Sequence, residues 1–320
     1  RMINLDSENE GSLWVSCAGG VSGNSYLPVQ RVDASGEKLS VKICGLTGGH
    51  SGAEIDKNRA SANILMGQFL YELGAVCGYA LAELEGGQKD NAIPRECQAS
   101  ILVLPEEVSA VTSLAEKMQK DFREEYTGSD ENITIQVTKE GEADASVLHP
   151  TSQEKVIFYL MNLPFGVKKM SGTIEGLVET SCNPGILKLY GDELFVQTSI
   201  RSAVGTAKEA LSHKIQYLTE FLGGEYDTEG DYPAWEYRKD SPLRDKMVEV
   251  YRDLYGKELK VVAIHAGLEC GLFYERMEGL DCTSLGPDIL DIHTSEERLD
   301  MVSVKRVWEY LIEVLKNLKD

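Results

Sequence analysis

The chain has 320 residues, 42% of them hydrophobic, enough for a packed core and room for two domains. Its 32 basic against 52 acidic residues give a formal charge of −20 with no local basic run, which excludes nucleic acid and anionic membrane surfaces as partners. Seven scattered cysteines without a CxxC pair argue against a disulfide framework or zinc knuckle, and no apolar run is long enough to span a bilayer, so a reduced, cytoplasmic protein is expected.

The first residues, "RMINLDSENEGSLWVSCAGG", open on Arg1 in an apolar run that reads as a strand already under way. This suggests a fragment whose beginning is missing. Residues 2–5 and 13–17 read as strands, and the pair Gly19 and Gly20 breaks the pattern. Asp6, at the end of the first strand, is placed where a carboxylate can face a cleft.

A run over 39–43 then leads into "GLTGGHSGAEIDKNR", and a helical pattern (Ile64, Leu65, Phe69, Leu70, Leu73) leads out. His50 on that glycine-rich bend suits a metal ligand, a proton shuttle or a hydrogen-bond donor. It equally suits a plain turn in which Ser51 caps the helix. A strand over 97–104, a helix from Pro105 to about Tyr126 and a strand over 133–137 form the next unit, with Glu106 and Glu107 marking the helix start. The acidic stretch over 127–146 reads as loops around it. His149, before Pro150, and His213, in a helix pattern, read as structural.

A strand (194–200), a helix (203–222) and a return (224–232) repeat the order and suggest an internal duplication. Arg201, after that strand, either forks onto a carboxylate or is a surface charge. Beyond Tyr232 the texture changes to alternating helices and strands of an open α/β sheet, whose ligands sit at strand ends. "IHAGLECG" there is an anion cradle or a tight turn. "LGPDILDIHTSEERL" puts His293 in a loop after a strand. A histidine and an aspartate at one sheet edge would be fit ligands for zinc or manganese.

Five motifs, "INLDSENEG…CAGG", "GLTGGHSGAEI", "DNAIPRE", "AIHAGLECGLF" and "GPDILDIHTSEERL", occur in the order seen in the aminoacyl-histidine dipeptidases, which the chain resembles over essentially its whole length. The resemblance implies an α/β catalytic domain, partial here and of the zinc-peptidase open-sheet type, interrupted by a large α+β lid and dimerisation domain. Residues 1–19 and 233–320 would be the catalytic remnants and 20–232 the lid. It further implies a cytosolic homodimer joined through the lid, two zinc ions (with manganese or cobalt as substitutes) and hydrolysis of small unblocked dipeptides of the Xaa-His type.

By that resemblance Asp6 is a carboxylate ligand of one metal and His293 the imidazole ligand of the other. His50 is the lid histidine that reaches the scissile carbonyl oxygen. Asn91 and Arg201 grip the substrate's backbone and carboxylate. The loop from His265 to Gly271, with Gly267 and Glu269, walls the carboxylate pocket. The family's first metal-binding histidine, bridging aspartate and adjacent glutamates precede the "INLD" strand and have no counterpart in these residues. The chain alone is therefore expected to be inactive. A non-catalytic dimerisation or peptide-binding module derived from the same fold is the alternative.

Overall fold

The computed structural model describes residues 1–292 and 294–318. Its larger sheet has nine antiparallel strands. Eight run in the order Glu225–Tyr232, Gly19–Pro28, Glu193–Ser202, Val178–Tyr190, Tyr79–Gly86, Cys97–Val103, Arg31–Cys44 and Thr134–Leu148, and Gly166–Met170 pairs with Val178–Tyr190. Alternation decides which face is covered. Leu39, Val41 and Ile43 are fully buried in a core shared with Phe69, Leu70 and Leu73 of the helix Ala62–Val76. Val111 of the helix Val108–Glu125, Tyr159 of Pro150–Asn162 and Ile215 of Gly205–Phe221 complete that core. The intervening Lys38 and Lys42 point the other way, to Glu140 and Glu96 at 3.1 and 2.7 Å.

A smaller mixed sheet orders Met2–Asn4, Cys282–Ser284, Ser12–Cys17 and Lys260–Ile264, its outer pairs parallel and its middle pair antiparallel. Leu13 and Val15 bury against Leu243 and Met247 of the helix Pro242–Tyr255 and Tyr310 and Val314 of Met301–Asn317. Both helices carry side-chain caps. Ser241 Oγ accepts from Arg244 N at 3.0 Å, and Asp300 accepts from Val302 N and Ser303 N at 2.7 and 3.1 Å. Where the chain passes between the sheets its two crossings pair, Cys17 N to Trp235 O at 3.0 Å and Trp235 N to Cys17 O at 3.1 Å.

Four local expectations are corrected. The acidic stretch is turn and loop only over 127–133; the strand expected over 133–137 continues as Thr134–Leu148, a long edge strand paired with Arg31–Cys44 from end to end. Glu140, Glu142 and Asp144 alternate along it because an edge strand shows one side to water, where Glu140 meets Lys38 at 3.1 Å. Gly19 and Gly20 begin a strand rather than break one, since a side chain at Gly20 would collide with the Tyr232 ring. Ser51 is not the helix cap; Ser61 holds that position. Arg201 lies within its strand, Glu193–Ser202, and not after it. The strands Tyr79–Gly86 and Val178–Tyr190 and the helix Pro150–Asn162 had no expectation at all.

Candidate functional site

The glycines ahead of His50 make the bend. Gly48 and Gly49 take φ of +66° and +143°, where a side chain is strained, and lead into a two-residue ladder pairing Gly49 with Ile93 and His50 with Ala92. Ser51 N then donates to the Asn91 carbonyl at 2.9 Å, and His50 N to Glu54 Oε2 at 2.8 Å, with Arg59 bracing Glu54 at 2.8 Å. The ring is held as firmly as the backbone. His50 Nδ1 accepts from the amides of Gly52 and Ala53, both at 3.0 Å. An imidazole nitrogen that accepts two N–H groups carries no proton, so the neutral ring is protonated at Nε2. Burial, and then the charge of Arg201, hold its pKa below the ordinary value, against a smaller pull from Glu54. At neutral pH His50 is an uncharged donor.

Arg201 and His265 meet it. Ser181 faces Arg201 across the ladder between two long strands, and Ser181 Oγ lies 2.7 Å from His265 Nε2. His265 is buried, and burial followed by the Arg201 charge pushes its pKa down to about 4, overcoming a backbone contact with Val178 and the Asp56 carboxylate. Arg201 Nη1 donates to the Tyr232 hydroxyl at 2.8 Å, while its Nε is buried without a partner. These groups crowd one point, at Gly52. A methyl group there would lie 2.7 Å from the His265 carbonyl oxygen, 3.1 Å from His50 Cε1 and 3.2 Å from Arg201 Nε. A cation with an unpaired N–H beside two neutral histidines has the chemistry to receive one negative charge.

The other expected residues are arranged around this point. Asn91 is exposed at the end of the His50 ladder, in a loop pinned by Asn183 Nδ2, which donates to the Asp90 and Ala92 carbonyls at 2.8 and 2.9 Å. Gly267 lies against the Tyr232 ring. Glu269 is exposed just before the helix Cys270–Arg276 and accepts from Asn4 Nδ2. Asn4 Oδ1 in turn accepts from Asp6 N at 2.9 Å. Asp6 itself is exposed, and His293 lies outside the described residues. No three His, Cys, Asp or Glu side chains converge on a metal position among the described residues, so these residues do not by themselves fit a metal ion. Sequence reasoning missed Gly52, Ser181 and Tyr232. Gly52 stood inside a quoted motif, whereas nothing in the local pattern of the other two signals a role.

Residues 41–130 match the family model of a peptidase dimerisation domain. The chain is 33% identical over 319 residues, 99% of its length, to the cytosol non-specific dipeptidase of Escherichia coli K12. It superposes on the crystal structure of an aminoacylhistidine dipeptidase from Vibrio alginolyticus with a TM-score of 0.94 at 31% identity, again over 99% of its length. It spans 66% and 65% of those two proteins. Fold and sequence together define the dipeptidase type of peptidase architecture, an α/β sheet joined to a dimerisation domain. The chain belongs to the family of these two dipeptidases, as its five motifs led us to expect.

Proposed function

We propose that these residues form the substrate-gripping part of a zinc-dependent dipeptidase that acts on small unblocked dipeptides of the Xaa-His type. The reading includes a cytoplasmic homodimer and a division into a catalytic part, 1–19 with 233–320, and a lid, 20–232. The observation that carries it is the double amide contact to His50 Nδ1. Such a ring presents one fixed N–H, and a fixed donor stabilises an oxyanion without reorganising as charge develops. Arg201 would take the dipeptide's free carboxylate and Asn91 its backbone, with the loop from His265 to Gly271 as the pocket wall. His50, Arg201 and the loop meet within one chain, which favours His50 serving its own chain's site.

Asp6 and His293 would be the metal ligands that these residues contribute. Two ligands are too few to hold an ion tightly. On this reading the 320 residues alone are inactive and the parent protein is active. The test is hydrolysis of alanyl-histidine by the parent protein before and after exhaustive chelation. Loss of activity with chelator and recovery with zinc is the expected result; activity that survives chelation would sink the proposal.

A further inference from the structure

Tyr232 ends the strand Glu225–Tyr232, after a register shift between Glu229 and Tyr232 that re-aims its side chain. Its carbonyl is held by Lys208 Nζ at 3.0 Å, and the same ammonium pairs with Asp231. The ring is wedged between a glycine of the larger sheet and a glycine of the loop that follows Lys260–Ile264. A side chain at Gly20 would overlap it, and a methyl group at Gly267 would lie 2.8 Å from its Cε2. The wedge therefore joins the larger sheet to the loop from His265 to Gly271.

The hydroxyl at the far end of that wedged ring accepts from Arg201 Nη1 at 2.8 Å. A guanidinium has two side edges, and Nη1 is on the Cδ side. Fixing Nη1 therefore turns the opposite edge, Nε–H with Nη2–H, towards a ligand, and Nε is the buried atom without a partner. That edge matches the two oxygens of a carboxylate.

We propose that Tyr232 is a positioning residue that aims Arg201 and so sets the pocket's preference for ligands ending in a free carboxylate. The proposal rests on reading Arg201 as the carboxylate grip. It extends that reading by making the aim of the guanidinium depend on one hydroxyl and by making the 265–271 loop its anchor.

Tyr232→Phe keeps the wedge and removes only the hydroxyl. The aim is measured without ligand, from the rotation of the Arg201 guanidinium followed by nitrogen-15 relaxation. Slow rotation in the unaltered chain and fast rotation in Tyr232→Phe are expected; equal rotation overturns the proposal. Specificity is measured by calorimetric titration with alanyl-histidine and alanyl-histidine amide. The unaltered chain should favour the free acid, and Tyr232→Phe should lower that preference about tenfold, the scale of one hydrogen bond to a charged group, with amide affinity and Tm unchanged. An undiminished preference, or an equal loss for both ligands, overturns the role of Tyr232. No preference in the unaltered chain overturns the Arg201 grip itself, and the relaxation data tell that failure from the other.

Discussion

Arg201 lies beside His265 and adds to the burial that keeps its ring uncharged: Arg201 Nε and the His265 carbonyl oxygen border the same point at Gly52. Burial makes the larger contribution and the guanidinium adds to it, while Ser181 satisfies His265 Nε2 at 2.7 Å. The pocket thus keeps one positive charge, on the residue best shaped to bind an anion.

That arrangement costs stability in acid. In the unfolded chain His265 takes up a proton near its ordinary pKa of 6.5, in the folded chain only near 4. Its contribution is complete above pH 6.5 and lost as the pH falls to about 4, a difference of about 3 kcal/mol. Denaturant unfolding at pH 7 and pH 4.5 should show a smaller loss for His265→Gln than for the unaltered chain. Equal losses would mean that His265 is not the group that titrates.

Gly52 is needed for closeness and not for an unusual backbone angle. Gly52→Ala places a methyl group 2.7 Å from a backbone oxygen that cannot swing aside. It should destabilise the chain by about 1–3 kcal/mol through overpacking and weaken binding of alanyl-histidine. A variant that binds the dipeptide normally would show that the three groups need not converge.

In the parent enzyme, His50→Ala should lower turnover about 10²–10³-fold, the usual cost of one oxyanion donor, with a smaller effect on substrate binding. Because His50 meets Arg201 and His265 within one chain, mixing His50→Ala subunits with Arg201→Ala subunits should restore no activity. Recovery in a confirmed mixed dimer would show that His50 crosses to its neighbour.

How much of this the sequence made legible depends on distance along the chain. Pro105 with Glu106 and Glu107 marks a helix start, and a short 3-10 turn there runs into Val108–Glu125. The alternation over 39–43 marks a strand with one buried face, and His50 stands out because its bend needs glycine at Gly48 and Gly49. These signals are local. The meeting of Ser181 with Arg201, and of both with His265, depends on strand register and on packing between two sheets. Tyr232 reads as the end of an acidic strand until its ring is seen between Gly20 and Gly267. The edge strand Thr134–Leu148 is legible only at its start, because beyond Val137 its middle residues are mostly exposed and its charges lie there.

The state of the His50 ring tests the account most directly. Nitrogen-15 chemical shifts of the labelled chain should show His50 unprotonated at Nδ1 and protonated at Nε2 at pH 7, as its two amide contacts require. Its titration should fall below the ordinary 6.5, since burial and Arg201 both favour the neutral ring. A proton on Nδ1, or a ring still charged at pH 7, would contradict the reading of His50 as a fixed neutral donor.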